Sequence, residues 1–269
     1  MEKPIPSTFQ LRRRTPGTFV LVPFARQGRS IRCQGQLEAA AVQILAASPR
    51  VTKILEHPLS VWYAWDEATG AITLLDGPPD KAFRKRHRVS YVVPDFLVTF
   101  HDGARHLVEV KPADKLGQPL VRRKLTVAAL AAEKHGWTYH VVSERHLFRG
   151  PLLANVRLLT RFRYSVPPAA LVERIELVVS KRPTTLEDVL TECGCEPAEF
   201  RATSLHLAAV GRLAVDPRIE AISNRTVLYP GGSFLWDPFD SVWEPSGFAM
   251  NGPSASSANS VLKNSLPKI

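Results

Sequence analysis

Acidic residues are in short supply. The chain carries 25 Asp+Glu against 35 Lys+Arg, a formal net charge of +10 and a pI near 9.8. This balance favours a polyanionic partner, with double-stranded DNA the leading candidate. Cysteine is scarce as well, limited to Cys33, Cys193 and Cys195. An odd count without a Cys-x-x-Cys pair argues against a disulfide framework and against structural zinc. The eight histidines include no His-Glu-x-x-His, which removes the zinc-protease pattern. No apolar run approaches the ~20 residues a bilayer-spanning helix needs. Met1-Glu2-Lys3-Pro4 lacks the apolar core of a signal peptide, so a reducing cytoplasm and no membrane partner are expected. At 269 residues the chain can hold one large or two ordinary domains, each able to bury a core.

The most informative residues are Pro94-Asp95 and Glu109-Val110-Lys111. Both lie in apolar, β-branched runs, Tyr91 to Val98 and His106 to Lys111, that read as strands. The link His101-Asp102-Gly103-Ala104-Arg105 is short and polar with an Asp-Gly pair, the usual hairpin signal. A hairpin brings Asp95 near Glu109, and strand alternation puts Glu109 and Lys111 on one face with Val108 and Val110 on the other. Two carboxylates and an ammonium converging on one point suit metal-dependent phosphodiester cleavage: the acids hold a hard divalent ion and the amine lies beside the attacking water. Charged residues on strands are more often plain solvated decoration, so Glu-Val-Lys alone carries little weight. The Asp95 partner and a third acid add to it. That acid is Glu38, in a helix-like segment from Gln36 to Ala47 whose apolar stripe is Leu37, Ala40, Ala41, Ile44 and Leu45. Glu38 sits at the border of the stripe, with Val42 and Leu45 on its own side, where it can reach over an adjacent sheet.

Residues 1–30 read as a basic N-terminal arm of low periodicity, with Arg12-Arg13-Arg14, Arg26 and Arg29 able to lie along DNA phosphate. Residues 31–150 read as one mixed α/β domain in the order helix, strand, strand, strand, helix, strand. Leu59 to Trp65 supplies the first strand. A basic run, Arg84, Lys85, Arg86, His87 and Arg88, precedes the Asp95 strand and is expected to hold scissile-strand phosphate. Pro119 to Lys134 reads as a helix with Val121, Leu125, Ala128, Ala129 and Ala132 inward and Arg122, Arg123 and Lys124 at its start. These three join the DNA-binding set. Gly136 stops it, and Trp137 to Val142 reads as a strand. Residues 151–230 read as a second domain. Its first helix opens at Thr184-Thr185, a turn follows at Glu192-Cys193-Gly194-Cys195, a second helix spans Pro197 to Val210, and a short strand follows Gly211-Arg212. That order predicts a winged-helix-like unit, though Glu199, Arg201, Thr203, Ser204 and His206 are a thin set for reading bases. Residues 231–269 read as a mostly disordered tail, rich in Ser, Asn and Pro from residue 245 on.

With these elements in order, the chain resembles the TnsA-type endonuclease subunit of heteromeric cut-and-paste transposons. The residues carrying the resemblance are Leu37-Glu38, Ser48-Pro49-Arg50-Val51, Pro94-Asp95-Phe96, Glu109-Val110-Lys111 and the run from Gly136 to Glu144. It covers about residues 30 to 150 and extends more loosely to about 230. Some members of that family have Gln where Glu109 stands, and many have Gln-Pro at His57-Pro58. The resemblance implies a restriction-endonuclease-like mixed sheet flanked by helices, followed by the small winged-helix-like domain. Carried over position by position, it makes Glu38, Asp95 and Glu109 metal-binding acids and Lys111 the catalytic lysine. It implies cleavage at the 5′ ends of a transposon, a separate DDE transposase for the 3′ ends, an AAA+ ATPase regulator, and a bacterial, nucleoid-associated setting. The expected ion is Mg²⁺, with Mn²⁺ substituting, held by Asp95, Glu109 and the Val110 carbonyl, with Glu38 completing a second ion or binding through water. The competing readings are a stand-alone restriction or junction-resolving nuclease, which needs no partner, and a catalytically inactive DNA-binding adaptor, which binds no ion.

Overall fold

The computed structural model describes residues 19–233 and 236–239. Arg12 to Arg14 and the Ser/Asn/Pro-rich stretch from residue 245 lie outside them.

Elements run in chain order as β1 (Val20–Phe24), β2 (Arg29–Cys33), α1 (Gln36–Ala47), β3 (Val51–Glu56), β4 (Val61–Trp65), β5 (Ile72–Leu75), α2 (Lys81–Arg86) and β6 (Arg88–Val92). Then come β7 (Phe96–Phe100), β8 (Arg105–Val110), α3 (Pro119–Lys134), β9 (Thr138–Val142), α4 (Glu144–Leu147) and α5 (Leu152–Phe162). The last group is α6 (Ala169–Lys181), β10 (Thr184–Thr185), α7 (Leu186–Cys193), α8 (Pro197–Val210), β11 (Leu213–Ala214) and β12 (Val227–Pro230).

A four-stranded mixed sheet in the order β3-β7-β8-β9 is the centre of the first unit. β7 and β8 form the expected hairpin, and their register pairs Phe96 with Val108. Continuing that ladder by one residue sets Asp95 opposite Glu109. Gly103, at φ +85°, makes the turn, where only a residue without Cβ adopts that backbone cheaply. β9 joins β8 in parallel, with Val110 beside Val142. One face of the sheet is covered by α1, α4 and α5: Val108, Val110 and Phe96 pack there with Ala40, Ala41, Ile44, Leu45, Leu147 and Val156. α3 covers the other face through Leu97, Leu107 and Ala132. This mixed sheet flanked by helices is the restriction-endonuclease-like arrangement that the sequence implied.

Several elements differ from the sequence reading. The stretch from Tyr91 to Val98 is two strands, not one. β6 ends at Val92 and pairs with β4 in a separate antiparallel sheet, β5-β4-β6, whereas β7 begins at Phe96 in the central sheet. Asp95 therefore lies in the kink where the chain passes between sheets. Val51 to Trp65 likewise holds two strands, separated by a break at His57-Pro58. The basic run from Arg84 to Arg88 is largely helix, because Asp80 caps α2 by accepting a 2.7 Å bond from the Phe83 amide. Residues read as an aperiodic arm contain β1, and β2 begins just before residue 31; the two pair as an antiparallel hairpin against α1. α3 buries Val127 and Ala131 where Val121 and Ala129 were expected. It is wedged between both sheets, so its contact stripe is rotated toward Val61, Tyr63 and Val92.

The second unit gathers α6, α7 and α8 around a small antiparallel sheet, β10-β12-β11. Thr185 caps α7, accepting from the Asp188 amide, and Gly194 and Gly211 end α7 and α8 with left-handed backbone. α6 and β12 were not read from the sequence. Thr203 and Ser204 are buried and the His206 ring donates to the Phe162 carbonyl at 3.0 Å, so the face of α8 named for base reading is largely committed to packing.

Part of the segment read as a disordered tail is ordered. Trp236 is buried in the first unit's core, its carbonyl accepts from Ser48 Oγ at 3.0 Å, and Asp237 pairs with Arg50 at 2.6 Å. Phe239 stacks on His140 with ring centroids 3.9 Å apart. The chain thus returns to the first unit after leaving the second.

Candidate active site

Asp95 and Glu109 are both almost fully buried, at 7 % and 3 % exposure. Carboxylates seldom lie this deep unless they are paired. The partner here is Lys111. Its Nζ is 2.7 Å from Glu109 Oε1, 3.3 Å from Asp95 Oδ2 and 3.2 Å from the Val110 carbonyl. The expected convergence of two acids and one amine is therefore what the structure displays. Alternation places Glu109 and Lys111 together as predicted, with Val108 and Val110 in the opposite core. The Val110 amide donates to Asp95 Oδ2 at 2.7 Å, and the Lys111 amide donates to the Val142 carbonyl, fixing the strand end on both sides.

Glu38 approaches from the first turn of α1. Its Oε2 accepts from the Gln34 amide at 2.6 Å, an arrangement suited to an acid at a helix N-terminus. Burial, and then the field of Asp95, push its carboxyl up to about 7. Burial and Asp95 push Glu109 up to about 8. Burial pulls the Lys111 ammonium down, but Asp95 and Glu109 more than reverse this and leave it above its ordinary value. Three carboxyls therefore share one ammonium, and two of them, Glu38 and Glu109, are driven to keep their protons toward neutral pH while no cation is bound. Among the described residues no group of three or more His, Cys, Asp or Glu side chains is already arranged as a metal cluster.

The residues present nevertheless fit a hard divalent cation. Glu109 Oε2 is buried with no hydrogen-bond partner, an orphaned acceptor that a cation would satisfy. Asp95 Oδ2, Glu109 Oε1 and the Val110 carbonyl are all oxygen donors, and the three already converge on one cationic centre, Nζ of Lys111.

Two residues at the site were not singled out from the sequence. His57 is buried, at φ +48°, and its amide donates to the Asp95 carbonyl at 2.9 Å. A positive φ in a non-glycine residue costs roughly 1 kcal/mol or more, and here it holds the kink that aims Asp95. The only sequence signal was the His-Pro break between apolar runs. Tyr139 has a buried, unpartnered hydroxyl whose ionisation is strongly opposed, first by burial and then by Glu109 and Asp95. The register of β9 beside Leu107 and Glu109 puts it on the acids' face, a consequence of parallel pairing that alternation in one strand cannot reveal.

The basic residues divide between two elements. Arg84, Lys85 and Arg86 lie on α2 with Arg88 just after it, whereas Arg122, Arg123 and Lys124 lie on the first turns of α3. Arg88 pairs with Glu67 at 2.8 Å, Arg84 lies over Trp62 and Arg123 over Trp65. The structure thus sets them around the β5-β4-β6 sheet, not in one continuous row.

These shifts have a measurable consequence. A carboxyl raised in the folded state holds its proton while the unfolded chain has lost it, so stability falls as pH rises toward the folded value. Buried His57 and half-buried His106, His140 and His146 are lowered by desolvation, His140 to about 4, and act in the opposite sense below about pH 6.5. Between about pH 6.5 and 8 the acids dominate. In a chelator, the thermal midpoint falls across that window and Glu109→Gln flattens the fall. A midpoint that rises there contradicts the assignment.

Comparison with protein-family models matches residues 48–144 to the TnsA-like endonuclease N-terminal family. Comparison with curated proteins found no match. The matched span contains Asp95, Glu109, Val110 and Lys111, and Glu38 precedes it. Across residues 48–144 this chain is therefore similar to the TnsA-like endonuclease N-terminal family.

Proposed function

We propose that this chain is the metal-dependent endonuclease subunit of a transposase, cutting the non-transferred strand at the 5′ ends of a transposon. The observation that carries this reading is the meeting of Asp95, Glu109 and Lys111 at 2.7–3.3 Å inside the endonuclease-family match. Asp95, Glu109 and the Val110 carbonyl would hold Mg²⁺ (or Mn²⁺), with Glu38 at the margin of the site. Such an ion polarises a scissile phosphate and lowers the pKa of bound water. Lys111 supplies a donor and a positive charge beside those acids, positioning the nucleophilic water or neutralising charge that develops on phosphate. The buried kink at His57 and the backbone bond from Val110 keep Asp95 fixed while this happens.

Arg84, Lys85, Arg86, Arg88, Arg122, Arg123 and Lys124 would hold DNA phosphate around the site. The net charge of +10 favours that partner. A DDE transposase cutting the 3′ ends and an AAA+ ATPase regulator complete the assembly, in a bacterial cytoplasm at the nucleoid. No described helix is long and apolar enough to cross a membrane. The helices α6 to α8 with the sheet β10-β12-β11 support a winged-helix-like reading of the second unit. The buried face of α8 favours protein contacts over base reading.

The test is a supercoiled plasmid bearing transposon ends, incubated with Mg²⁺ and with or without the DDE transposase encoded beside this chain. Nicking at the 5′ ends only when the transposase is present is the expected result. Nicking by this chain alone supports a stand-alone nuclease instead, and no nicking under either condition supports the inactive adaptor.

A further inference from the structure

The β5-β4-β6 sheet has one face packed on α3 and one face turned outward. Val61, Tyr63 and Val92 fill the inner side. Trp62 and its cross-strand partner Tyr91 project from the outer side. Their rings meet with centroids 4.9 Å apart, and Tyr91 is 44 % exposed. Arg84 reaches from α2 to lie over the Trp62 ring, 5.1 Å from its centroid, and its Nε donates to the Pro79 carbonyl at 2.9 Å. The guanidinium is therefore held over the indole. On the same face an open concavity of about 290 Å³ is bounded by the cations Arg86 and Arg88 and by the acids Asp66 and Glu67, of which Glu67 pairs with Arg88 at 2.8 Å.

On this face Tyr91 is exposed and Trp62 half-buried beside the cations of α2, and neither ring belongs to the sheet's core, which lies on its other side. Their chemistry matches an unpaired nucleotide: a base stacks on an aromatic face while the cations follow its phosphates. The location fits as well. Only Val92, Val93 and Pro94 separate Tyr91 from Asp95, so their Cα atoms are at most ~14 Å apart. At ~3.4 Å per base along a strand, the rings lie within about four nucleotides of a scissile phosphate placed beside Asp95 and Glu109.

We infer that the Trp62–Tyr91 face, with Arg84 over the indole, is a stacking site for an unpaired base of the DNA strand next to the cut. This rests on the reading of DNA as the substrate. Offset cuts on the two strands of a transposon end would leave such an unpaired segment, and the stack would retain it.

The experiment compares the full chain and its variants on two duplexes of one sequence, blunt or carrying a short single-stranded dT overhang. Affinity is measured by anisotropy in a chelator, so cleavage does not enter. Wild type binds the overhang duplex more tightly. Trp62→Ala weakens that binding about ten-fold and leaves the blunt duplex unchanged, whereas Trp62→Phe and Tyr91→Phe, which keep the rings, retain the preference. The retained blunt-duplex affinity shows that the Ala variant is folded. Equal binding of the two duplexes by wild type, or a preference that survives Trp62→Ala, overturns the stacking site and leaves the nuclease reading standing. Failure of wild type to bind either duplex overturns both.

Discussion

Asp95→Ala and Glu109→Ala each lower strand cleavage by about a thousand-fold or more, while duplex affinity stays within about two-fold, since a lost transition-state contact of about 4 kcal/mol corresponds to that rate. The DNA-contacting cations stand on α2 and α3, so removing a carboxylate does not remove the surface that holds the duplex. What disappears is the oxygen cluster at the end of β8. Neither residue has a substitute at the end of β8: Glu38 stands on α1, its carboxylate bonded to the Gln34 amide and raised by the field of Asp95. Loss of activity through unfolding is separable from this, because Glu109 is held at a carboxyl pKa of about 8 and its ionised form is a liability to the metal-free fold. In Glu109→Ala, Asp95 still pairs with Lys111 at 3.3 Å, so the protein keeps a cooperative melt above the assay temperature in a chelator at pH 8. Nicking of supercoiled plasmid measures the first effect and thermal unfolding the second. Cleavage by either variant at the wild-type rate removes the acids from the mechanism.

Lys111→Met produces a different pattern, because Lys111 has two jobs. In the metal-free protein its ammonium occupies the point where Asp95 Oδ2, Glu109 Oε1 and the Val110 carbonyl converge. Methionine keeps the unbranched stem but leaves two buried carboxylates facing each other without a cation. Breaking a buried pair from one side costs about 3–5 kcal/mol. The Lys111→Met protein consequently unfolds at lower temperature in a chelator, and Mg²⁺ or Mn²⁺ restores much of the loss, since a ligand bound only to the folded state stabilises it. Wild type, with its own cation in place, gains less from the same ion. Cleavage falls about a hundred- to a thousand-fold in the variant even when the ion is saturating, because the donor beside the phosphate is gone. A variant whose melting responds to the ion no more than wild type's contradicts the shared position of ammonium and metal.

The catalytic hairpin was legible because everything that specifies it is local. Asp102-Gly103 fixes the turn, the period of two fixes the faces, and together they fix Asp95 opposite Glu109. The ends of α1 and α3 were equally local, read from apolar spacing and from Gly136. What escaped depends on partners distant in sequence. Tyr91 to Phe96 looks like one strand because each half is apolar; only the competition between β4 and β3 for its two ends splits it at Pro94. Tyr139 comes beside Glu109 through the parallel pairing of β9. β1 and β2 carry little alternation of their own and are defined by the face of α1 they cover. Trp236 and Phe239 lie in a short aromatic run broken by Asp237-Pro238 with no helix or strand period, and their placement is decided by contacts with Ser48, Arg50 and His140 of the first unit.

Binding of Mn²⁺ to the purified chain, followed by the loss of its free-ion electron paramagnetic resonance signal, tests the central claim most directly. Wild type takes up the ion saturably, and Asp95→Ala and Glu109→Ala both abolish that uptake. Uptake that persists unchanged in those variants, or no uptake by wild type, contradicts it.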